Sequence, residues 1–308
     1  MTDLCVRRPP SCAYGPRCFR PSGNVSHADQ ERTRERFKAG SGACSGLGRA
    51  EFASTPRLVV RLSVNVNKVA TVRNSRGGTV PSVVEAVEVC VRAGAPGITV
   101  HPRADERHIT ARDVVEIHEQ LEPWRDRVEY NIEGDPRPEL MDRVVELKPD
   151  QCTLVPVRPG EITSEAGWQP DRDRELLAPT IERLKHAGVR VSLFVEADPA
   201  AIEWAAKLGA DRVELYTEPF ARAYEQGPDP GKREFERYVA AAQRAHALGL
   251  GINAGHDLDL HNLGSFATLP HLDEVSIGHA LISRAIFVGL ETVVREYLEL
   301  LARAGQGT

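Results

Sequence analysis

No apolar stretch in the sequence approaches the roughly 20 residues that a membrane-spanning helix requires, which excludes a helical membrane protein and leaves a soluble chain as the expectation. The N-terminal region also lacks the uninterrupted apolar run of about 7 to 15 residues found in secretory signals. None of the six cysteines form a C-x-x-C pair, so the usual zinc and dithiol spacings are missing. Cys5, Cys12, Cys18 and Cys44 fall in the first 57 residues, whereas Cys90 and Cys152 sit in apolar-periodic surroundings. Free thiols in a reducing cytoplasm are the expected state. A G-x-G-x-x-G turn opening the first helix, the mark of a dinucleotide-binding open sheet, is missing as well.

Positive charge is scarce in the part of the chain that can fold. The formal net charge is -5, yet residues 1–57 carry ten Lys and Arg against five Asp and Glu, leaving 29 basic and 39 acidic residues for 58–308. Such a body repels nucleic acid. Residues 1–57 are rich in Pro, Gly, Ser and Arg and have no apolar periodicity, so a disordered basic extension is expected there. Three readings suit that segment: a weak transit peptide, a partner-binding tail, or an upstream extension from a different start. Residues 58–308 are expected to form one catalytic domain.

From Leu58 the pattern becomes regular. Apolar, β-rich runs occur at LVVRLSVNV (58–66), GITVH (97–101), VEYNIE (128–133), QCTLVP (151–156), RVSLFVE (190–196), DRVELYT (211–217), GINAGH (251–256) and EVSIGH (274–279). Segments with helical spacing separate them, with LHNLGSFATLP the weakest, and ALISRAIFVGLETVVREYLELLA reads as one long closing helix. Several helices run into Gly94, Gly188, Gly209 or Gly249 just before the next strand, where a left-handed stop is expected. Eight alternating units over some 250 residues predict a (β/α)8 TIM barrel of the α/β class.

Active sites in this fold lie at the C-terminal ends of the strands. Those ends carry Asn65, Asn67 and Lys68; His101 and Arg103; Glu133; Thr163 after the fourth strand; Glu196; Thr217 and Glu218; Asn253, His256 and Asp257; and Ser276 and His279. Histidines and a carboxylate converging on one rim point to acid/base chemistry. Both NAGH and SIGH end in Gly-His, and a glycine there allows backbone to approach a phosphate after strands seven and eight. Lys68, Arg73, Arg76, Arg103 and Arg107, after strands one and two, suggest a second anionic group. Two phosphate regions in one barrel would suit the joining of two phosphorylated substrates.

The segments VNVNKVATVRNSRGG, GITVHPRADERHI, YNIEG, CTLVPVRPGEITSEAGW, SLFVEAD, VELYTEP, INAGHDL and VSIGHALISRAI, in this order over about residues 60–300, resemble the pyridoxine 5'-phosphate synthase family of vitamin B6 biosynthesis. The resemblance implies a TIM barrel that joins 3-amino-2-oxopropyl phosphate to 1-deoxy-D-xylulose 5-phosphate, giving pyridoxine 5'-phosphate, phosphate and water. It also implies no metal or organic cofactor and a cytoplasmic homo-octamer with no nucleic-acid or membrane partner. Carried over by position, His101 and Glu133 are implied as proton acceptors and His256 as a proton donor. Asn65, Asn67, Lys68, Arg76, Arg103, His108, Thr163, Asp257, Gly278 and His279 are implied as substrate-binding. The family pattern commonly has Asp-His where this chain has Asn67-Lys68, and Gly where it has Asp257. Two other readings of the strand ends are a metal-dependent barrel hydrolase, whose usual H-x-H pair on strand one is here Asn65-Val66-Asn67, and a noncatalytic phosphosugar-binding barrel.

Overall fold

The protein is described from a computed structural model covering residues 59–158, 160–161, 163–170 and 172–306. The expected disordered extension, 1–57, lies outside the described residues. Eight parallel strands close in sequence order into a barrel: β1 (Arg61–Asn65), β2 (Gly97–Val100), β3 (Glu129–Gly134), β4 (Gln151–Leu154), β5 (Arg190–Val195), β6 (Arg212–Tyr216), β7 (Gly251–Gly255) and β8 (Glu274–Ile277), with β8 pairing back onto β1. Each falls within a run expected from sequence, except that β3 extends one residue further, to Gly134.

The helices are α1 (Asn67–Asn74), α2 (Val83–Arg92), α3 (Ala111–Leu121), α4 (Pro138–Leu147), α5 (Arg174–His186), α6 (Pro199–Leu208), α7 (Glu218–Glu225), α8 (Pro228–Ala247), α9 (Leu263–Phe266), α10 (His279–Val288) and α11 (Leu290–Gln306). Gly94, Gly188, Gly209 and Gly249 all take positive φ, as a left-handed stop requires. The long closing helix is in fact two. Gly289, at φ 89 and ψ 145, leaves helical space after its N–H bonds Ala285 O, and α11 restarts beyond it. Two helices were not expected: α1, which has no capping side chain and little apolar character, and α7, whose Glu218-Pro219 start is read more readily as the end of a strand.

Alternation along the strands sets the character of the core. Leu62, Val64, Ile98, Val100, Ile132, Leu154, Leu193, Val213 and Ile252 are fully buried in the apolar cluster formed with the helices. The residues between them face the barrel axis and are mostly polar. Ser63 Oγ lies 2.7 Å from Thr99 Oγ1, Asn131 donates to Thr99 at 3.3 Å, and Thr153 donates to Asn131 at 3.1 Å. Gln151 donates to Thr153 at 3.3 Å and accepts from Arg190 Nε at 3.0 Å. Glu129 is gripped from two sides, by Arg190 and by Arg61 Nη1 at 3.0 Å. On the far wall Arg212 donates to Asn253 at 2.8 Å, and Asn253 to Glu274 at 3.4 Å. Barrel interiors are ordinarily filled by bulky branched residues. This one is held by side-chain hydrogen bonds.

Such a network is sensitive to loss of a single partner. Glu129→Ala leaves the Arg61 and Arg190 guanidinium groups without their shared carboxylate and is expected to lower unfolding stability by about 3 kcal/mol, the low end for a broken buried pair because both arginines partly reach solvent. Glu129→Gln, which keeps an acceptor, should lose less. Urea denaturation of the two variants beside the parent protein checks the order.

Candidate active site

Strand ends and the loops beyond them bring the expected groups together. His101, following β2, and Glu133, in β3, are both buried, with His101 Nδ1 3.6 Å from Glu133 Oε2. That separation is a close approach rather than a hydrogen bond. His101 Nε2 is buried without a partner among the described residues. Its backbone N–H donates to Asn67 Oδ1 at 2.9 Å, and the Asn67 N–H donates to Asn65 Oδ1 at 3.1 Å, so the two asparagines tie β1 and α1 to the end of β2. The His108 ring stands edge-on to His101 at 6.3 Å, and its Nδ1 accepts from the Ile109 N–H at 2.9 Å, which leaves the Nε2 position for the ring proton.

On the opposite wall His256, following β7, lies with Nδ1 2.8 Å from Asp257 Oδ2 and Nε2 3.0 Å from Thr163 Oγ1. The Tyr216 ring meets it edge to face at 5.1 Å. Thr217 Oγ1 donates to the carbonyls of Gly255 and His256, fixing the backbone from which the histidine projects.

Burial sets the protonation states. Desolvation, reinforced by the Arg103 charge, pushes His101 down to about 4, and desolvation with the neighbouring His101 and Lys68 does the same to His108. Both rings are neutral at neutral pH. Glu133 moves the other way, up to about 8, because burial outweighs the nearby His256 and a hydrogen bond from Ser276. The site thus contains neutral His101 and His108 imidazoles beside a Glu133 carboxyl that retains its proton. Below it Glu214, buried in β6, is pushed well above the usual carboxyl range by desolvation and by Glu133, and its Oε2 has no partner among the described residues. The sequence reading missed Glu214. Its signal was the alternation in RVELY, which puts it on the same face of β6 as Arg212 and Tyr216.

A sequence profile of the family described as "Pyridoxal phosphate biosynthesis protein PdxJ" matches residues 62–303. A protein of Leptospira biflexa called pyridoxine 5'-phosphate synthase is 50% identical over 254 residues, covering 79% of this chain and 98% of the relative. One of the same name from Bacteroides thetaiotaomicron is 52% identical over 244 residues, covering 79% and 100%. The chain belongs to the PdxJ family. Likeness to solved structures supports the barrel alone: a chain described as "Native KDPGal structure" superposes with a TM-score of 0.52 at 11% identity, covering 81% of this chain and 98% of its own.

Not every strand-end residue of this PdxJ member is free to meet a ligand. Asn253 lies within the interior hydrogen-bond network. Arg73 donates through both terminal nitrogens to Asp113, and Arg107 is engaged by Asp105 and the Glu161 carbonyl, so neither is a spare cation. Glu196 accepts from the Gly167 N–H and anchors a loop. Arg103, by contrast, is buried and among the described residues makes one long hydrogen bond, to the Glu161 carbonyl at 3.5 Å. Lys68 lies in the first turn of α1, close enough for its charge to bear on His108. Arg76 is exposed beyond α1, and no side-chain contact joins it to the cluster among the described residues. The two strand-end glycines are also required by packing within the protein. A Cβ on Gly255 would lie 2.6 Å from Glu214 Oε1, and one on Gly278 3.1 Å from Asn65, so protein atoms already fill the space each glycine leaves.

The raised carboxyls predict how stability responds to pH. Folded Glu133 keeps its proton up to about 8, whereas the unfolded chain releases it near 4.5, so unfolding releases a proton between these values and rising pH favours the unfolded state. Glu274, also pushed up to about 8, chiefly by burial, adds to the same slope. Below about pH 6.5 the two buried histidines, lowered to about 4 in the folded chain, act against this slope, so the Tm should fall from about pH 6.5 to about pH 8, and Glu133→Gln should fall less over this range. Thermal unfolding in a buffer series tests this, and equal slopes for the two proteins would refute it.

Proposed function

We propose that this chain is a pyridoxine 5'-phosphate synthase, condensing 3-amino-2-oxopropyl phosphate with 1-deoxy-D-xylulose 5-phosphate to give pyridoxine 5'-phosphate, phosphate and water. The observation that carries this reading is the gathering of His101, Glu133 and His256, from three different strands, at one end of a polar barrel. The family relationship supports it. Imine formation, loss of phosphate, ring closure and dehydration each move protons between carbon, nitrogen and oxygen, work suited to groups that titrate near neutrality. His101, neutral and with Nε2 unpartnered among the described residues, is poised as an acceptor whose proton affinity rises when an anionic substrate group lies beside it. Glu133 becomes a base when a cationic amine enters beside it, because the added positive charge lowers the carboxyl again. His256 supplies a proton from Nε2.

Phosphate is assigned to the start of α10. Ile282 N–H makes the first hydrogen bond back to Gly278 O, and Gly278 offers no capping side chain, so the N–H groups of His279, Ala280 and Leu281 remain for an anion. Arg103, His108 and Thr163 are assigned to substrate on the facing side, and Arg76 to substrate only if its exposed side chain folds inward. The protein is placed in the cytoplasm, in keeping with the free buried Cys90 and Cys152, and as a homo-octamer. Ile286 and Phe287, 72% and 87% exposed at the end of α10, are apolar area that a subunit contact would cover.

Mixing both substrates with purified protein should yield pyridoxine 5'-phosphate and inorganic phosphate, and absence of both products would end the proposal. Glu133→Gln should fold and bind but lose about 10² to 10⁴ in turnover. Near-parental turnover would remove Glu133 from the mechanism. Lys68→Met is expected to weaken 1-deoxy-D-xylulose 5-phosphate about tenfold to a hundredfold, as loss of one charge-assisted hydrogen bond does, and to leave the amino ketone phosphate little changed. Separate calorimetric titrations check this, and equal affinities in both proteins would exclude the contact.

A further inference from the structure

Among the described residues His256 is the one site histidine whose ring nitrogens are both engaged by side chains, Nδ1 with Asp257 at 2.8 Å and Nε2 with Thr163 at 3.0 Å. Its flank is closed by Tyr216 at 5.1 Å. Asp257 is more than a neighbour in sequence. Residues 256 and 257 both lie in the left-handed region, at φ 91 and φ 57, a conformation that costs a residue with a side chain and persists only where the surroundings enforce it. That pair of dihedrals folds the Asp257 carboxylate back onto the ring of the residue before it. The hydrogen bond from His256 opposes the effect of burial and holds the Asp257 carboxyl below its ordinary range, with His256, His279 and Arg222 adding positive charge around it. The carboxylate is therefore ionised at neutral pH and accepts.

We propose that Asp257 is a positioning residue for His256, holding the Nδ1 proton so that exchange takes place at Nε2 alone, on the side facing Thr163. The inference rests on the reading of His256 as proton donor. The proton balance is simple. The imidazolium gives the Nε2 proton to the reacting atom, the Nδ1–H remains on Asp257, and the neutral ring is left in one tautomer, ready to be recharged at the same nitrogen. Without the carboxylate, the neutral ring divides between tautomers and a fraction has Nδ1, on the wrong side, as its acceptor. The Asp257 side chain is accordingly assigned to the histidine rather than to substrate.

Two variants of the full chain separate the contributions. Asp257→Asn retains an acceptor for Nδ1–H and removes the charge, while Asp257→Gly removes both and suits φ 57. Ring-nitrogen NMR of the ligand-free protein, with the His256 signals identified by their loss in His256→Gln, should show the Nδ1–H tautomer in the parent and in Asp257→Asn and a mixture in Asp257→Gly. Asp257→Gly should lose about tenfold to a hundredfold in kcat, with KM for both substrates changed by less than about threefold. An unchanged tautomer in Asp257→Gly would overturn the proposal. So would a loss confined to the KM of one substrate, which would make Asp257 a binding contact. Undiminished turnover in His256→Gln would instead remove the proton-donor reading, and the NMR result would stand apart from it.

Discussion

The constraint on which the rest of this structure depends is that the barrel axis is lined with polar groups, most of which are paired with one another. An unpaired buried donor or acceptor costs about 1–3 kcal/mol, more when charged. The strands therefore cannot slip. Moving one by a single residue would turn Leu62 or Val64 inward and Ser63 out against the helices, ending the Ser63–Thr99–Asn131–Thr153 series. Register in a branched, apolar interior is a matter of volume. Here it is a matter of which atom faces which.

The same interior leads directly into the site. Glu129 and Glu274 lie deep in the network, Glu214 in the middle, and Glu133 at the mouth, so the carboxyls form a column along the axis. Arginines neutralise its lower end, through Arg61 and Arg190 on Glu129. No such partner reaches Glu133 or Glu214 among the described residues, and both retain protons where an exposed carboxyl would not. The upper part of the column thus holds its carboxyls in the protonated form.

The eight strands were legible because β-rich runs and glycine stops recur at regular intervals, and barrel closure followed from their number. The polar interior was legible too, in the alternation of RLSVN, EYNIE and RVELY, but these runs are easily read as merely apolar. The polar strand ends stood out because His101 and Glu133 follow Val100 and Ile132 directly and His256 closes the run GINAGH. Arg73 and Arg107 were harder, since a basic residue on a rim loop looks the same in sequence whether it meets a ligand or a nearby aspartate. The contact of Asp257 with His256 was not legible for a related reason: the positive φ at both residues is a property of the folded loop, and local sequence carries no sign of it. The break at Gly289 was visible as a lone glycine, which a helix of good apolar pattern can tolerate.

The polar lining also bears on temperature. Exposure of apolar surface raises the heat capacity of an unfolding chain, whereas exposure of polar surface lowers it. A barrel whose axis is packed with Ser, Thr, Asn, Gln, Glu and Arg gains less heat capacity on opening than one of the same size filled with Val, Ile and Leu. Its stability curve is correspondingly flatter, and warming and cooling each erode the folded state more gradually.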